Sequence, residues 1–381
     1  MKLKDCINIS DLRLAAKKRA HKMVFDYIDG GSDDEVTLAR NSDAYGDYEL
    51  LYRVLSGVDN PDMSTTILGE KIDVPFFLSP SAGNRLFHTV GEIGPAIAAD
   101  KINTIYSLAT LSSVSIEEIG ALTKGPKWFQ LYVWKDRGLV KEMLDRAKAA
   151  GFTAMFLTVD LPIAGNRERD PKNGFTIPPK IGPKQIWHAM QAPWWSMDYL
   201  FSPAIRYANL SNDTSAATLN DFIAKQINAA FSWDDAEWLL GEWNGPSILK
   251  GVVRPDDAIR AEQTGFNAIS ISNHGGRQLD TSPAPISCLE PIRDAVSDKT
   301  ELYVDGGIRR GTDVLKALAM GANAVSFARP YLYGLAAGGE GALRAVEILR
   351  DAIKRDMILL GAQSVKDIDR SFIKQLYSAE K

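Results

Sequence analysis

The stretch SNHGGRQLD, residues 272–280, places a histidine and an arginine three positions apart. An apolar, β-branched run precedes it, so His274 is predicted to lie at the end of a strand. His274 is one of four histidines in 381 residues. Its residue type allows three interpretations: a buried structural histidine, a metal ligand or a general base. The two glycines that follow let the chain turn at once into a loop that carries Arg277.

Other predicted strands end in side chains that could do chemistry. Lys250 lies in the apolar run SILKGVV, where a buried ammonium group requires a partner. Gln130 and Tyr132 are two positions apart in WFQLYV, and Thr158 and Asp160 are two positions apart in LTVD. Side chains at this spacing lie on the same face of a strand. Together these strand ends would supply an acid, a cation and a phenol beside the histidine.

The elements that must position these residues are eight short apolar runs that alternate with helical patterns. Strands that are apolar on both faces and alternate with helices are typical of a parallel sheet. Eight such units predict an α/β fold, a closed (β/α)8 barrel of the TIM type, rather than an open sheet. The predicted strands are 74–80, 104–109, 127–133, 154–160, 247–252, 268–274, 301–307 and 324–330.

A weak internal repeat supports the barrel. AAGFTAMFLTVD, QTGFNAISISNH and AMGANAVSFARP each end a helix on glycine and then open an apolar strand with alanine. Each strand ends in polar residues. The carboxyl ends of the strands form the active site in TIM barrels, so Asp160, His274, Asp305 and Arg329 are predicted to converge at one mouth.

Length and composition limit the class of protein. A chain of 381 residues suits one (β/α)8 domain with insertions, so residues 1–381 are interpreted as a single domain. The net charge of −4 argues against a nucleic-acid partner. Cys6 and Cys288 give no disulfide framework, and the scattered histidines predict no metal site. The N-terminus lacks the apolar core of a signal peptide, and no apolar run could span a bilayer, so the protein is predicted to be cytoplasmic.

Two segments lie outside the eight units. Residues 1–70 form an N-terminal helical extension with an irregular part that is a candidate to close the barrel bottom. Residues 165–230 form a long insertion between the fourth strand and its helix, and a loop of this length is typical of a functional lid. Within it, residues 181–207 contain the aromatic stretch WHAMQAPWWSMDYLF. This stretch either packs on its own protein or makes peripheral contact with the inner face of the cell membrane, because Trp and Tyr favour the membrane–water boundary.

The loops after the seventh and eighth strands predict an anion site. In many TIM barrels these two loops bind phosphate. Gly306 and Gly307 allow backbone N–H groups to approach an anion, and Arg309 and Arg329 carry guanidinium groups that bind its oxygens. Asp305 would repel a phosphate but would accept hydrogen bonds from sugar-type hydroxyls. A phosphate with a polyol attached indicates a nucleotide or flavin mononucleotide (FMN).

Taken together, these motifs resemble the FMN-dependent L-2-hydroxy-acid oxidase/dehydrogenase family, which includes glycolate oxidase, bacterial L-lactate dehydrogenase and mandelate dehydrogenase. The resemblance extends over nearly the whole chain and is most specific at SNHGGRQLD. The other segments that carry it are MVFDYIDGGSDDEVTL, FQLYV, LTVD, NRERD, DGGIRRGTDVLKALAMGA and ARPYLYGLA. It implies FMN as cofactor, a small 2-hydroxy acid as substrate and oxidation to the 2-keto acid, with electrons passed to a quinone or another acceptor.

The resemblance also implies a role for individual residues. It makes His274 the catalytic base, Asp160 the carboxylate that stabilises the protonated base, and Tyr132 the phenol near the reacting hydroxyl. Whether the base removes the C2 proton or the hydroxyl proton stays open. The residues implied to bind substrate are Tyr27, Tyr132, Arg167 and Arg277. The residues implied to bind FMN are Pro80, Ser81, Ala82, Thr110, Gln130, Thr158, Lys250, Ser272, Asp305, Gly307, Arg309, Ala328 and Arg329.

Some positions depart from one branch of the family or another. Thr110 and Leu111 stand where glycolate oxidases have a tryptophan, which resembles the lactate and mandelate dehydrogenase branch. Ala82 stands where those dehydrogenases tend to have glycine and oxidases tend to have alanine. Ala328 replaces the usual glycine before Arg329. The alternative to a dehydrogenase is therefore an oxygen-using oxidase that produces hydrogen peroxide. The family also suggests a homotetramer.

Overall fold

The structure is a computed structural model that describes residues 2–132, 134–175, 182–203, 205–210 and 226–376. The strands are β1 (Tyr48–Leu50), β2 (Thr65–Ile67), β3 (Glu70–Ile72), β4 (Phe76–Leu78), β5 (Tyr106–Ala109), β6 (Lys127–Leu131), β7 (Ala154–Thr158), β8 (Ser247–Val252), β9 (Ala268–Ser272), β10 (Glu301–Asp305), β11 (Ala324–Phe327) and β12 (Ile373–Gln375). Strands β4 to β11 pair in parallel, each with the next along the chain, and β11 returns to β4. This closed eight-stranded barrel confirms the predicted TIM fold.

Helices surround the barrel and extend its N-terminal side. They are α1 (Ile9–Arg19), α2 (Lys22–Asp29), α3 (Val36–Asp43), α4 (Ile93–Lys101), α5 (Ile116–Leu122), α6 (Arg137–Ala149), α7 (Arg169–Lys172), α8 (Pro183–Gln191), α9 (Pro193–Phe201), α10 (Trp233–Trp243), α11 (Pro255–Thr264), α12 (Pro285–Ala295), α13 (Gly311–Ala319), α14 (Arg329–Ala337) and α15 (Gly341–Leu360). Short 3₁₀ turns lie at Leu3–Asp5, Ala44–Asp47, Asn84–Leu86, Val365–Asp367 and Arg370–Phe372.

The barrel strands form because both of their faces are covered. Every residue of β5, β6, β7 and β9 is buried, with one face towards the barrel interior and the other under the helices. Aromatic rings fill the lower interior: Phe77 packs 4.9 Å from Trp128 and 5.2 Å from Tyr303, measured between ring centroids. Ile67 and Ile72 of the β2–β3 hairpin pack against this cluster. The hairpin therefore closes the bottom of the barrel.

The register of the strands sets the polar residues side by side at the opposite end. Thr158 pairs with Lys250 across β7 and β8, and Ser272 pairs with Asp305 across β9 and β10. A bulge in β8 between Lys250 and Val252 contains Gly251, whose φ is +112°. The pairing of the strands therefore places these four polar side chains next to one another at the carboxyl end of the barrel.

Several strands are shorter than the sequence predicts. β7 ends at Thr158 and β9 at Ser272, so Asp160 and His274 lie in the loops that follow. The backbone of His274 is left-handed, with φ +58°, and its N–H donates to Ser272 Oγ at 3.1 Å. The chain therefore leaves the sheet before the histidine, and strand alternation does not determine the direction of its side chain. Arg329 begins helix α14 and does not end a strand.

Helices α7, α8 and α9 lie between β7 and α10, where the insertion at 165–230 was predicted. Its residues 176–181, 204 and 211–225 lie outside the described residues. Trp195 of α9 is buried and donates from Nε1 to the carbonyl oxygen of Leu86 at 2.9 Å. Arg19 of α1 forms an ion pair with Asp198 of α9. Among the described helices, none is both long and apolar enough to cross a membrane.

Candidate active site

His274 and Asp160 meet at the mouth of the barrel. The two side chains arrive from the loops after β9 and β7, and His274 Nδ1 lies 2.8 Å from Asp160 Oδ1. Asp160 is an acceptor, so this contact fixes the proton on Nδ1 and leaves Nε2 as the basic nitrogen. The His274 side chain keeps 23% of its surface exposed, and it lines a cavity. The pair has the geometry of a general base held by its carboxylate.

Lys250 lies behind this pair in a buried polar network. Its Nζ donates to Ser272 Oγ at 2.8 Å and lies 3.1 Å from Asp305 Oδ2 and 3.8 Å from Asp160 Oδ2. Ser272 Oγ also donates to Asp305 Oδ2 at 2.9 Å. Ser79 Oγ lies 2.8 Å from Asp305 Oδ1. The buried ammonium group therefore has two carboxylate partners, as its place in an apolar strand requires.

The electrostatics keep these groups in useful protonation states. Burial lowers the pKa of His274 below its usual value, and the charges of Lys250 and Arg277 add to this, although Asp160 opposes them. Burial alone would raise the pKa of Asp160, but His274 and Lys250 bring it below its ordinary range. Burial alone would lower the pKa of Lys250, but Asp160 and Asp305 raise it. At neutral pH, His274 is therefore a free base beside a carboxylate and an ammonium ion.

Arg277 presents an unused hydrogen-bonding edge to the same cavity. Its Nη1 donates to the carbonyl oxygens of Tyr27 at 2.5 Å and Gly30 at 3.1 Å. No partner among the described residues occupies its Nε or Nη2, and this edge can bind a carboxylate side-on. The guanidinium carbon lies 4.7 Å from the centre of the Tyr27 ring, and that of Arg167 lies 5.8 Å from it. Burial, and then the charge of Arg167, lower the pKa of Arg277 to about 10, so it stays protonated at neutral pH.

Arg329 and Arg309 also line the cavity, and Arg329 shares the carbonyl oxygen of Gly30 with Arg277. Arg329 donates to the carbonyl oxygens of Ile28, Gly275 and Gly30 at 2.8–2.9 Å, which leaves two of its five N–H groups for a ligand. Arg309 Nη1 donates to the carbonyl of Ile308 at 2.8 Å, and none of the described carboxylates forms an ion pair with it.

Gly307, two residues before Arg309, is required for a reason that the sequence did not suggest. Its φ is +81°, and a β carbon there would lie 1.8 Å from the carbonyl oxygen of Asn41. Helix α3, which contains Asn41, therefore packs directly on the loop after β10. The glycine allows this close approach of two backbones.

The cavity has a volume of about 600 Å³. Most of the predicted site residues line it: Tyr27, Pro80, Ser81, Ala82, Tyr132, Thr158, Arg167, Lys250, His274, Arg277, Asp305, Gly307, Arg309, Ala328 and Arg329. The remaining four lie directly behind it. Ser272 and Asp160 hold Lys250 and His274, while Gln130 Nε2 donates to Thr158 Oγ1 at 3.1 Å and Thr110 N donates to Gln130 Oε1 at 3.2 Å.

Sequence reasoning missed much of the apolar wall of the cavity. Phe87, Leu161, Phe175, Tyr207 and Leu332 line it. The Phe175 ring stacks on Tyr27 with centroids 4.5 Å apart. Tyr207 comes from the insertion, and its segment is tied to the loop after β5 because Ala208 N donates to the carbonyl of Ser112 at 2.9 Å. No sequence pattern marks these residues: Leu332 comes from helix α14, and the other four reach the cavity through the path of the loops.

The donor set of the cavity fits FMN. Arg309, the free N–H groups of Arg329 and the N-terminus of α14 would hold a phosphate. Asp305 and Lys250 offer an acceptor for ribityl hydroxyls and a charged donor for the ring. A volume of about 600 Å³ lies within the range of cofactor sites. The residues that line the cavity therefore offer partners for the phosphate, the polyol and the ring of the cofactor.

Comparison with known proteins agrees with this geometry. Residues 16–375 match the FMN-dependent dehydrogenase family. An L-lactate oxidase from Nostoc sp. is 40% identical over 96% of this chain and 98% of its own length. A glycolate oxidase from Spinacia oleracea is 40% identical over 96% of this chain and 95% of its own length. The crystal structure of a monotopic membrane protein, (S)-mandelate dehydrogenase, superposes with a TM-score of 0.94 at 32% identity and covers 97% of this chain and 100% of that one.

These matches extend over nearly the whole chain and include proteins that act on lactate, glycolate and mandelate, all of them 2-hydroxy acids. The resemblance read from the sequence motifs is therefore confirmed. The chain belongs to the FMN-dependent dehydrogenase family and is an FMN-dependent oxidoreductase of the 2-hydroxy-acid oxidase and dehydrogenase group.

Proposed function

We propose that this protein oxidises an L-2-hydroxy acid, lactate-like or mandelate-like, to the 2-keto acid and passes the electrons to a quinone or another acceptor. The observation that carries the proposal is the 2.8 Å contact between His274 and Asp160, which faces the same cavity as the unused edge of Arg277. A base and a carboxylate-binding edge in one cavity suit a substrate whose carboxylate is next to the carbon that loses a proton.

Arg277 would bind the substrate carboxylate, with Tyr27 and Arg167 beside it. This contact fixes C2 and its hydroxyl in front of His274, and such positioning supplies a large part of the rate enhancement in enzymes. His274 then takes a proton at Nε2, from C2 or from the hydroxyl. Asp160 stabilises the imidazolium that results, as the carboxylate of a catalytic triad does.

Tyr132 would assist at the hydroxyl group of the substrate. Burial, and then the charge of Asp160, raise the pKa of Tyr132, so the phenol keeps its proton. It can therefore donate a hydrogen bond to the substrate oxygen throughout the reaction.

FMN, when bound, supplies the two-electron acceptor for this oxidation. Lys250 is buried and protonated, so it would place a positive charge where negative charge gathers on the reduced ring. The other residues proposed to hold the cofactor are Pro80, Ser81, Ala82, Thr110, Gln130, Thr158, Ser272, Asp305, Gly307, Arg309, Ala328 and Arg329.

The test is reduction of the holoenzyme without oxygen. The purified protein is mixed anaerobically with L-lactate, L-mandelate and glycolate, with D-lactate and D-mandelate as matched controls, while the flavin absorbance is followed. We expect rapid bleaching by at least one L-acid and none by its D-enantiomer. Failure of every 2-hydroxy acid to bleach the flavin would contradict the proposal.

An oxygen-using oxidase is the second candidate, and one residue favours it. Ala82 lines the cavity at the position where oxidases of this family tend to have alanine. The test compares reoxidation of the reduced enzyme by air with reoxidation by a soluble quinone. Under the dehydrogenase proposal, the quinone is faster and little hydrogen peroxide forms. Stoichiometric peroxide with fast reoxidation in air would establish the oxidase instead.

We also propose that the insertion contacts a membrane surface through α8 and α9. Seven large apolar side chains of these two helices are 51–79% exposed: Ile186, Trp187, Met190, Trp194, Met197, Leu200 and Phe201. Such a cluster on amphipathic helices is typical of interfacial binding. Trp195 and Asp198 face the protein instead and hold the helices against Leu86 and Arg19.

Co-sedimentation with vesicles tests the membrane contact. A Leu200→Ser/Phe201→Ser variant is compared with Leu55→Ser, which removes a fully exposed apolar side chain elsewhere. We expect only the first to lose binding to vesicles of phosphatidylcholine and phosphatidylglycerol. Equal binding of both variants would support a lid that packs on its own protein.

Light scattering of the wild type in detergent tests the proposed homotetramer, and a monomer mass would refute it.

A further inference from the structure

Gln278, the residue after Arg277, has every hydrogen-bonding group of its side chain in use. It is only 9% exposed. Its Nε2 donates to the carbonyl oxygens of Asp160 at 3.0 Å and Ile163 at 2.9 Å. Its Oε1 accepts from the N–H of Gly165 at 3.1 Å. The side-chain amide of Gln278 therefore forms hydrogen bonds with three residues of the loop that follows β7.

That loop carries two groups of the proposed reaction, one at each end. Asp160 begins it, and Arg167 ends it. On the far side, the loop is held by Asn166, whose Nδ2 donates to Asp33 Oδ1 at 2.7 Å and whose carbonyl accepts from Asp33 N at 2.9 Å. The Gln278 contacts extend from Asp160 to Gly165, and the Asn166 contacts hold the residue next to Arg167.

We infer that Gln278 is a positioning residue that sets the carboxylate of Asp160 against His274 and supports the loop that delivers Arg167. The inference rests on the proposed function. His274, Arg277 and Gln278 lie within five residues of one another. One short loop therefore carries the base, the arginine that binds the substrate carboxylate and the glutamine that positions Asp160. The side chain of Gln278 therefore ties the loop that carries the base to the loop that carries its carboxylate.

The inference makes a directional prediction about pH. The charged groups that face His274 are Asp160, Lys250 and Arg277. Burial, Lys250 and Arg277 lower the pKa of His274, and Asp160 alone opposes them. If Asp160 moves away, the pKa of His274 falls further. The acidic limb of the rate profile, below which the base is protonated, then moves to lower pH in a variant that lacks Gln278.

The experiment measures flavin reduction by the best L-2-hydroxy acid against pH, in holoenzymes of matched variants. Gln278→Met keeps the length of the side chain and removes all three hydrogen bonds. Gln278→Asn keeps an uncharged amide but is one methylene shorter, so it cannot reach all three partners. Asn166→Ala loosens the loop at the Arg167 end only, and Gln263→Met changes an exposed glutamine of α11.

For both Gln278 variants, we expect a limiting reduction rate about 10-fold lower, which corresponds to about 1.4 kcal/mol, a part of the free energy of the hydrogen bonds that the variants lose. We also expect a weaker substrate affinity and an acidic limb at lower pH. Asn166→Ala should weaken affinity without moving the limb, and Gln263→Met should match wild type. FMN content and Tm are measured on each variant, so the Asn variant decides the matter where the Met variant does not retain FMN.

A limb that coincides with wild type, with or without a slower rate, would overturn the inference, because a purely structural glutamine lowers Tm or FMN content but leaves the pKa of the base in place. Rates and affinities equal to wild type would overturn it as well. These results differ from failure of the proposed function, in which no 2-hydroxy acid bleaches the flavin of the wild-type enzyme.

Discussion

Replacing Asp160 with asparagine isolates the charge that opposes the imidazolium. Asparagine has nearly the same shape, and its oxygen still accepts a hydrogen bond from His274 Nδ1, which lies 2.8 Å from Asp160 Oδ1. The full negative charge is lost. The substitution therefore tests electrostatic stabilisation rather than packing.

The size of the effect follows from the contact and its surroundings. Opposite charges about 4 Å apart attract by about 4 kcal/mol at an effective dielectric constant of about 20. The asparagine dipole keeps part of this attraction, so we take the loss as about 2–4 kcal/mol when the proton reaches His274. At about 1.4 kcal/mol per tenfold, flavin reduction should slow by roughly 30-fold to 1,000-fold.

The pH dependence of flavin reduction provides a second, independent test of the Asp160 charge. Asp160 raises the pKa of His274 against the lowering effect of burial, Lys250 and Arg277. Without that charge, the pKa of His274 falls, so the acidic limb of the rate profile moves to lower pH. His274 then stays unprotonated over a wider range of pH, but it is a weaker base.

The assay is anaerobic stopped-flow reduction of the flavin with a saturating L-2-hydroxy acid from acidic to alkaline pH. Asp256→Asn, on the exposed first turn of α11, is the control and should behave as wild type. An Asp160→Asn rate within threefold of wild type, or a limb displaced to higher pH, would refute the reasoning.

Three further substitutions test other parts of the site by the same assay. Arg277→Lys should lower kcat/KM for the acid substrate by roughly 100-fold, because lysine cannot form the paired contact to a carboxylate; an unchanged kcat/KM would count against carboxylate binding there. Gly251→Ala places a β carbon 2.6 Å from that of Asp160 at a φ of +112°, so it should slow reduction and shift the limb as Asp160→Asn does, whereas a wild-type profile would show that Asp160 need not sit there. Lys250→Met should slow reduction by roughly 100-fold or more while substrate affinity changes little, and loss of affinity alone would argue against a role at the cofactor.

The barrel could be predicted because its strands follow a general rule. Strands buried on both faces must be apolar along their whole length, and eight such runs alternate with helices in this sequence. The same rule places polar residues at strand ends around one mouth, which is why Asp160 and His274 could be brought together without a structure. Their contact depends on loops, however, since both strands end two residues earlier than predicted.

The wall of the cavity could not be predicted, because it is built by residues whose neighbours are remote in sequence. Tyr207 and Phe175 come from the insertion, and no periodic pattern reports where a loop passes. A contact between two histidines could not be predicted either. They are scattered in the sequence, yet the rings of His21 and His188 lie 5.8 Å apart where α8 packs on the N-terminal helices. The β1–β12 pairing also escaped prediction, since three-residue strands carry almost no sequence signal.

The central claim is that His274 is the base, and His274→Gln tests it most directly. Glutamine keeps a polar side chain at the site but cannot accept a proton at neutral pH. With FMN content and substrate affinity verified, the account predicts that anaerobic flavin reduction by the L-2-hydroxy acid slows by at least roughly 100-fold, the usual lower bound for loss of a general base. Reduction at the wild-type rate would contradict it.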